Sequence, residues 1–398
     1  MSSATEIPTK RQPVDAFGRT LPRLEGIDLL RGLAILFVLL NHVNMRLVIA
    51  QIPYGRGLPS RLLSMLVDNS QHGVQMFFAI SGFLITATSI RRWGSLSSVR
   101  VLDFYRIRFA RIAPLLLLLL LLLSVLDVAH IHDYLIASRT GGLGAALLAA
   151  LTFRVNVLEA RHGYLPGSWD VLWSLSVEET FYFFFPLLCR VLGGRKRLFV
   201  ATLLIFTALG PIARASFDRG NEVWHEYSYL GGMDAIALGC LTALALSAVR
   251  LQQRQKSLAA LSGIAVLAFS LATAVPALVS TGLDMSIIAL GTCSTIAASA
   301  QSAWRSPVVL RPLVRLGQRS YETYLTHMFV VFLMFDLFLS VGKPAYAVPL
   351  LFATVIFLAA ILGALTANLY SEPLNRLLRS RWQRARGNIP SALPETAS

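Results

Sequence analysis

The sequence predicts an all-α fold, a polytopic bundle of about ten transmembrane helices. Composition is the first observation behind this prediction: 55% of the 398 residues are hydrophobic, 14% are charged and the mean hydropathy is +0.62, which is far from the composition of soluble domains. The second observation is that the apolar segments are continuous, a pattern that indicates membrane helices rather than a membrane barrel. The third is that Lys and Arg fall in short clusters between those segments.

Ten apolar segments are long enough to cross a hydrocarbon core of about 30 Å, which takes roughly 20 residues of helix. The predicted spans are 27–48, 73–90, 112–129, 169–189, 198–217, 229–249, 258–279, 283–303, 320–341 and 345–370. An eleventh segment, 142–153, is shorter and is followed by Arg154. We predict that it lies at the membrane interface, because counting it as a span would move the basic cluster at 190–197 to the outside.

With ten spans, the positive-inside rule places both termini in the cytoplasm. The chain then divides into a cytoplasmic N-terminal segment (1–24), a membrane domain (25–376) and a basic, disordered cytoplasmic tail (377–398). The net charge of +15 is spread among the connections. Topology therefore explains the charge, and we expect the lipid bilayer as a partner and no nucleic acid.

The first predicted span carries two ionisable side chains, Arg31 and His42. At about 100° per residue they lie on one face of a helix, roughly 16 Å apart along its axis. Ionisable groups inside lipid are costly and are commonly functional. His42 is therefore a candidate catalytic residue and Arg31 a candidate substrate-binding residue. The alternatives are a hydrogen-bonded core histidine, and an arginine that reaches the interface and pairs with Asp28.

Arg108 and Arg111 lie one helical turn apart at the start of the third predicted span. Adjacent guanidinium groups bind phosphate oxygens well, so both are candidates for binding a phosphate-bearing substrate. Positive-inside topology alone accounts for other arginines of the same loop, such as Arg91, Arg92 and Arg100.

Two carboxylates, Glu178 and Glu179, follow Trp173 in the fourth predicted span. Their side chains point about 100° apart on a helix, so at most one of them can face the same space as His42. A carboxylate beside the imidazole would make a general base with an orienting partner, and both are candidate catalytic residues. The alternative for each is a solvated or helix-capping carboxylate at the interface.

Two further segments carry candidate residues. Gly73–Gly82 includes Ser81 and contains small residues that allow helices to approach closely. In the ninth predicted span, Tyr321, Tyr324 and His327 are spaced three apart and trace one side of the helix. His327 is expected either to contact a substrate or to make a structural hydrogen bond.

Together these motifs resemble those of the acyltransferase-3 family of bacterial membrane acyltransferases, which modify surface polysaccharides, lipid-linked sugars, peptidoglycan and macrolides. Five motifs occur in the family's order and cover nearly the whole chain. The matching segments are Arg31–His42 (Arg-x10-His), 77–83 (Phe-Phe-x-x-Ser-Gly-Phe), Arg108–Arg111 (Arg-x-x-Arg), Trp173–Tyr182 (Trp-Ser-Leu-x-x-Glu-x-x-Phe-Tyr) and Ser320–His327 (Ser-Tyr-x-x-Tyr-Leu-x-His).

The resemblance implies a ten-helix core with His42 as the central catalytic residue, Arg31 near the acyl carrier, and Arg108 with Arg111 on an acyl-CoA phosphate. It also implies no metal and no permanently bound cofactor. The predicted substrate-binding residues are Arg31, Ser81, Arg108, Arg111, Trp173, Tyr321 and His327.

The sequence therefore predicts an O-acyltransferase of the plasma membrane, the inner membrane of a bacterium. It would move an acyl group, most simply acetyl, from cytoplasmic acyl-CoA to a hydroxyl of a carbohydrate or glycolipid acceptor such as surface polysaccharide. His42 would act as a general base or would carry the acyl group transiently. The alternative is a transporter or flippase of a glycan, lipid-linked sugar or anion, in which the intramembrane Arg and His would serve the transport path.

Overall fold

The computed structural model describes residues 24–55, 59–217, 221–273, 275–302, 304–342 and 344–387, and these residues contain helices and no strand. The α-helices in chain order are α1 (Glu25–Ile49), α2 (Ser60–Val67), α3 (Ser70–Trp93), α4 (Val101–Val128), α5 (Gly142–Leu151), α6 (Val155–His162), α7 (Gly167–Asp170), α8 (Leu172–Leu192), α9 (Lys196–Ile212), α10 (Glu222–Tyr227), α11 (Tyr229–Ala248), α12 (Gln253–Ala272), α13 (Pro276–Ser280), α14 (Leu283–Ala300), α15 (Arg311–Gln318), α16 (Ser320–Ser340), α17 (Val348–Thr366) and α18 (Glu372–Gly387). Wider, π-helical turns follow α9 (Ala213–Phe217) and join α17 to α18 (Ala367–Ser371).

Ten helical segments in the described residues are long and apolar enough to cross a membrane, which confirms the predicted multi-pass helical bundle. They fall in the same order as the ten predicted spans. The helix α5 has ten residues and bends by 94° against the segment before it; the two would make an eleventh span if counted together. The interfacial position of 142–153 and the cytoplasmic placement of both termini stay predictions.

The third span begins earlier than predicted. Residues from Val101 are already helical, whereas the predicted span starts at 112. Arg106, Arg108 and Arg111 interrupt the apolar pattern of this part of the chain, so the sequence pattern placed it in a loop before the span. As a result, the side chains of Arg108 and Arg111 project from within α4.

Helix α3 packs between α1 and α11. A Cβ atom on Gly82 of α3 would lie 1.9 Å from the carbonyl oxygen of Ile236 in α11, and one on Gly73 would lie 2.6 Å from that of Ala34 in α1. No side chain fits at such distances, so the backbones of these helices meet directly. This confirms the close helix approach predicted for Gly73–Gly82.

The prediction of a disordered tail over 377–398 is wrong for the part of it that the structure describes. Helix α18 continues to Gly387, and the Trp382 ring packs 6.4 Å from the Phe109 ring of α4, measured between centroids. The high charge of this segment suggested a solvated chain, but the apolar ring of Trp382 packs against α4 and holds the segment as a helix. Residues 388–398, and 1–23 of the N-terminal segment, lie outside the described residues.

Candidate active site

A cavity of about 440 Å³ lies among α3, α4, α8 and α16, with one side chain each from α1 and α18. Its lining runs along α3 from Val74, near the start of the helix, to Arg92 and Trp93 at its end, and includes Ser174 and Tyr324. The predicted site residues that line it are Arg31, Ser81, Arg108, Arg111, Glu178, Glu179 and Tyr321. The sequence therefore identified both carboxylates and three of the five arginines in the cavity wall.

Arg108 is bound to protein carboxylates in the cavity wall. Its guanidinium nitrogen lies 3.0 Å from Glu179 and 3.9 Å from Glu178. The guanidinium carbon also stands 3.6 Å from the centre of the Tyr182 ring, a cation–π contact. A phosphate would have to compete with these groups for Arg108, and its predicted role in binding phosphate stays a prediction.

Glu178 also accepts hydrogen bonds from two hydroxyl groups. The Tyr182 hydroxyl donates to it at 2.5 Å, and Ser81 donates to the same oxygen. These bonds join α3 to α8 across the cavity, so the carboxylate of Glu178 is held in one orientation by its neighbours.

Two other predicted residues contribute to the wall. Tyr321 donates a hydrogen bond to the carbonyl oxygen of Ile112 at 3.0 Å, and the Arg111 guanidinium lies 6.0 Å from its ring. A guanidinium nitrogen of Arg31 lies 3.8 Å from the carboxylate of Asp28. This is the pairing expected if Arg31 reaches the membrane interface as an anchor. Because Arg31 also lines the cavity, the pairing with Asp28 does not remove it from the site.

His42 lies outside the cavity lining and beside His327. The Nδ1 atom of His42 is 2.8 Å from the carbonyl oxygen of Val38. A carbonyl oxygen can only accept, so Nδ1 carries a proton, and in the neutral imidazole Nε2 keeps its lone pair. The His327 ring contacts His42 edge-on, with centroids 4.9 Å apart and planes at 70°. This ring too donates from Nδ1 to a carbonyl oxygen, that of Tyr324, at 2.6 Å.

Tyr324 connects the cavity to the two histidines. Its ring lines the cavity, and the centroid of this ring lies 5.9 Å from that of the His327 ring. Its hydroxyl is bonded to Ser174 at 2.7 Å and donates to the carbonyl oxygen of Val171 at 3.1 Å. Tyr324 is thus a cavity-lining residue in contact with His327, which in turn contacts His42.

Comparison with known proteins adds a decisive observation. A family model for an acyltransferase domain matches residues 24–369. The chain belongs to the acyltransferase-3 family. This confirms the family resemblance that the five motifs suggested.

Relatives of this acyltransferase-3 protein include two proteins of Staphylococcus aureus. The O-acetyltransferase OatA of strain NCTC 8325 / PS 47 is 23% identical over 368 residues, which are 89% of this chain and 57% of OatA. A second protein, of strain COL and provisionally named an O-acetyltransferase, is 22% identical over 342 residues, 81% of this chain and 53% of its own. The chain thus spans little more than half the length of these relatives. No solved structure matches it significantly.

The predicted pairing of His42 with a carboxylate is not found in the family member described here. Among the described residues, no hydrogen bond joins Glu178 or Glu179 to His42; both carboxylates turn instead to the cation of Arg108. The attraction of a nearby guanidinium outweighs that of a neutral imidazole, which explains the difference. The side chain that contacts His42 is that of His327. Contact of His327 with a substrate stays a prediction.

Trp173 does not reach the cavity of the acyltransferase-3 bundle. Its side chain is 5% exposed and stacks on Tyr227 with ring centroids 4.1 Å apart, and it also contacts Phe78 edge-on. These contacts give it a packing role between α8 and its neighbours. In the described ranges no three His, Cys, Asp or Glu side chains group as a metal site, and metal independence stays a prediction.

Sequence reasoning did not single out two parts of this family member. Arg379 lines the cavity from α18, but no signal marked it within a tail predicted to be disordered. Asp234 forms a buried ion pair with Arg214 at 2.8 Å. The sequence did contain a signal for this ion pair, because Asp234 is a single aspartate within the apolar segment 229–249.

Proposed function

We propose that this acyltransferase-3 protein is a membrane O-acyltransferase that moves an acyl group, acetyl in the simplest case, from acyl-CoA to a hydroxyl of a carbohydrate or glycolipid acceptor such as surface polysaccharide. The observation that carries the proposal is the arginine-lined cavity whose wall residue Tyr324 contacts the pair of histidines, His327 and His42. The name of the relative OatA supports acetyl as the group transferred.

The uneven lining of the cavity supports acyl-CoA as the donor. Arginines, among them Arg92 and Arg111, cluster where α3 ends and α4 begins, while Ser174 and Tyr324 stand at the opposite end. Acyl-CoA carries phosphates at one end and a thioester at the other, so its phosphates would bind where the arginines cluster. The positive-inside rule assigns the arginine end to the cytoplasm, where acyl-CoA is made.

His42 supplies a lone pair for the chemistry in either of two routes. As a general base, its Nε2 takes the hydroxyl proton of the acceptor while the hydroxyl oxygen attacks the thioester carbon. The carbon–sulfur bond then breaks, and the CoA thiolate takes the proton from the imidazolium. As a nucleophile, Nε2 attacks the thioester carbon, the carbon–sulfur bond breaks and CoA leaves as a thiolate. The acceptor hydroxyl then attacks the acyl carbon, the bond to Nε2 breaks, and the hydroxyl proton passes to the CoA thiolate. The bond from Nδ1 to Val38 orients the ring for both routes.

We place the protein in the plasma membrane, which is the inner membrane where a bacterium has two, and expect no permanently bound cofactor. Its ten apolar helices support a membrane location. Cytoplasmic acyl-CoA is available to the inner face of this membrane, and nascent surface glycans are available to its outer face. The route from the acceptor to His42 would then begin on the outer side.

The proposal is tested with purified protein in nanodiscs and labelled acetyl-CoA. Wild type is expected to hydrolyse or transfer the acetyl group, and His42→Ala to lose at least about 100-fold in turnover, because general-base catalysis is worth about 10²–10⁴-fold. His162→Ala, at an exposed histidine of α6, is the matched control and should retain activity.

Full activity in a folded His42→Ala protein would contradict the assignment of His42. Movement of a glycan or anion across the bilayer without acyl-CoA consumption would indicate the transporter instead. An acyl group trapped on the histidine after acid quenching would select the nucleophilic route over the general base.

A further inference from the structure

We infer that Arg379 of the C-terminal helix completes a binding site for the phosphates of the acyl donor. The inference rests on the proposed function, because it takes acyl-CoA as the molecule that enters the cavity. It adds an element, α18, that the five motifs do not include.

The position of α18 is fixed by contacts with α4. The Tyr370 hydroxyl, just before α18, donates a hydrogen bond to the carbonyl oxygen of Pro114 at 3.2 Å. Farther along, the Trp382 ring packs against Phe109 with centroids 6.4 Å apart. These two contacts lie on either side of Arg379 in the chain and lay the helix along α4, so that Arg379 lines the cavity.

The charges around Arg379 are those of an anion-binding site. Three other arginines, Arg92, Arg108 and Arg111, line the same cavity as Arg379. Arg108 has the carboxylate of Glu179 at 3.0 Å. The Nε atom of Arg379 is shielded from solvent and has no hydrogen-bond partner in the described residues. Guanidinium groups repel one another at short range, and a multivalent anion between them reverses the sign of that energy.

The neighbouring side chains favour a nucleotide over a simple anion. Arg92, Arg111 and Arg379 come from three different helices, and three guanidinium forks suit an anion with more than one phosphate. The rings of Trp93 and Phe104 line the same cavity, with centroids 6.4 Å apart and planes tilted by 30°, and the Trp93 ring lies 5.8 Å from the Arg92 guanidinium. The adenosine end of CoA has the groups that such side chains bind, namely phosphates next to a planar base.

A phosphate ester could also come from a lipid headgroup, so the experiment separates the two sources. Protein in nanodiscs of phosphatidylcholine alone is assayed for binding of CoA and for turnover of acetyl-CoA and of acetyl-pantetheine, which has no phosphate. Arg379→Gln is compared with Arg381→Gln, an exposed position two residues along the same helix. Arg379→Lys tests whether a positive charge alone restores part of the affinity.

We expect Arg379→Gln to weaken CoA binding and to raise KM for acetyl-CoA about 10- to 100-fold, the size of effect for a charge-assisted hydrogen bond. KM for acetyl-pantetheine should stay as in wild type, so that the preference for acetyl-CoA over acetyl-pantetheine falls by the same factor. Arg381→Gln should resemble wild type, and Arg379→Lys should fall between wild type and Arg379→Gln.

Different failures have different meanings. If wild type is active and Arg379→Gln behaves like Arg381→Gln, the inference is wrong and the proposed function stands. An equal loss for both donors would assign Arg379 to folding and would also overturn the inference. A parallel assay measures binding of phosphatidylglycerol added to the phosphatidylcholine nanodiscs. Unchanged CoA affinity of Arg379→Gln together with lost binding of phosphatidylglycerol would make the site a lipid site and would overturn the inference. A wild-type protein that neither binds CoA nor turns over acetyl-CoA would overturn the proposed function together with the inference.

Discussion

His42 and His327 have the same hydrogen-bond arrangement although they belong to different helices. In each ring Nδ1 donates to a backbone carbonyl of its own helix, at 2.8 Å and 2.6 Å. Each ring therefore keeps a lone pair on Nε2, and that of His327 is buried without a partner in the described residues. The helix backbone, rather than a carboxylate, thus orients the ring of His42, whose part in proton transfer or nucleophilic attack stays a prediction.

Glu159 is a second residue whose surroundings decide its chemistry. Its side chain is 0% exposed, and one of its carboxylate oxygens accepts a hydrogen bond from the backbone of Leu165 at 3.1 Å. Burial, and secondarily the nearby charge of Asp170, raise the pKa of Glu159 well above its ordinary value. The folded protein therefore holds a proton here that the unfolded chain releases near pH 4.3.

Because the folded state binds more protons, the contribution of Glu159 to stability is present below about pH 4.3 and is lost as pH rises toward the folded pKa. Glu159→Gln has no proton to lose and can still accept the bond from Leu165. We expect the apparent Tm of wild type to fall more steeply than that of Glu159→Gln between about pH 5 and 8. Equal slopes for the two proteins, or a change of slope in the exposed control Glu372→Gln, would contradict this account.

At the scale of the element, direct backbone contact sets the distance between α3 and α11. A Cβ on Gly239 of α11 would lie 2.0 Å from the carbonyl oxygen of Ala79, and one on Gly82 of α3 would lie 1.9 Å from that of Ile236. The two glycines thus face backbone atoms on opposite helices. This close packing positions Phe77, Phe78 and Ser81 of α3 along the cavity.

Gly82→Ala is expected to force α3 and α11 apart. The cost should be about 1–3 kcal/mol or more, because backbone atoms cannot move aside as a flexible side chain does. Gly144→Ala in α5 is the matched control, since its new Cβ would meet nothing within 4 Å and should stabilise the helix by up to about 1 kcal/mol. Thermal unfolding in detergent measures both, and equal Tm values for wild type and Gly82→Ala would show that the interface can widen freely.

At the scale of the whole molecule, a buried polar network joins helices far apart in the chain. Arg214, in the turn after α9, binds Asp234 of α11 and Ser286 of α14, each at 2.8 Å. It also donates to the carbonyl oxygens of Gly231 and Gly282. None of these residues lines the cavity, so the network serves to hold the three elements together.

Asp234→Asn leaves the Arg214 charge without its carboxylate, and we expect a loss of about 3–5 kcal/mol in unfolding free energy. The double substitution Arg214→Met with Asp234→Leu removes both charges and should recover most of that loss. Denaturation titrations in mixed micelles measure the series. A double variant no more stable than Asp234→Asn would show that the network acts through shape and not through charge.

The sequence by itself determined the helical class, the number and order of the spans, the family, and seven of the ten predicted site residues as part of the cavity wall. These properties can be predicted because each depends on a contiguous run of residues: an apolar run of sufficient length, or a motif at fixed spacing on one helix. The small residues of Gly73–Gly82 likewise predicted close helix contact from local composition alone.

Only the tertiary structure decided which side chains meet. It brought Glu179 to Arg108 instead of His42, set His327 against His42, buried Trp173 against Tyr227, and placed Arg379 in the cavity. Each of these pairs joins separate helices, or a helix and a segment predicted to be disordered. Their contacts depend on the rotation and separation of the helices, which are set by packing such as that at Gly82 and are not encoded in the spacing along one helix.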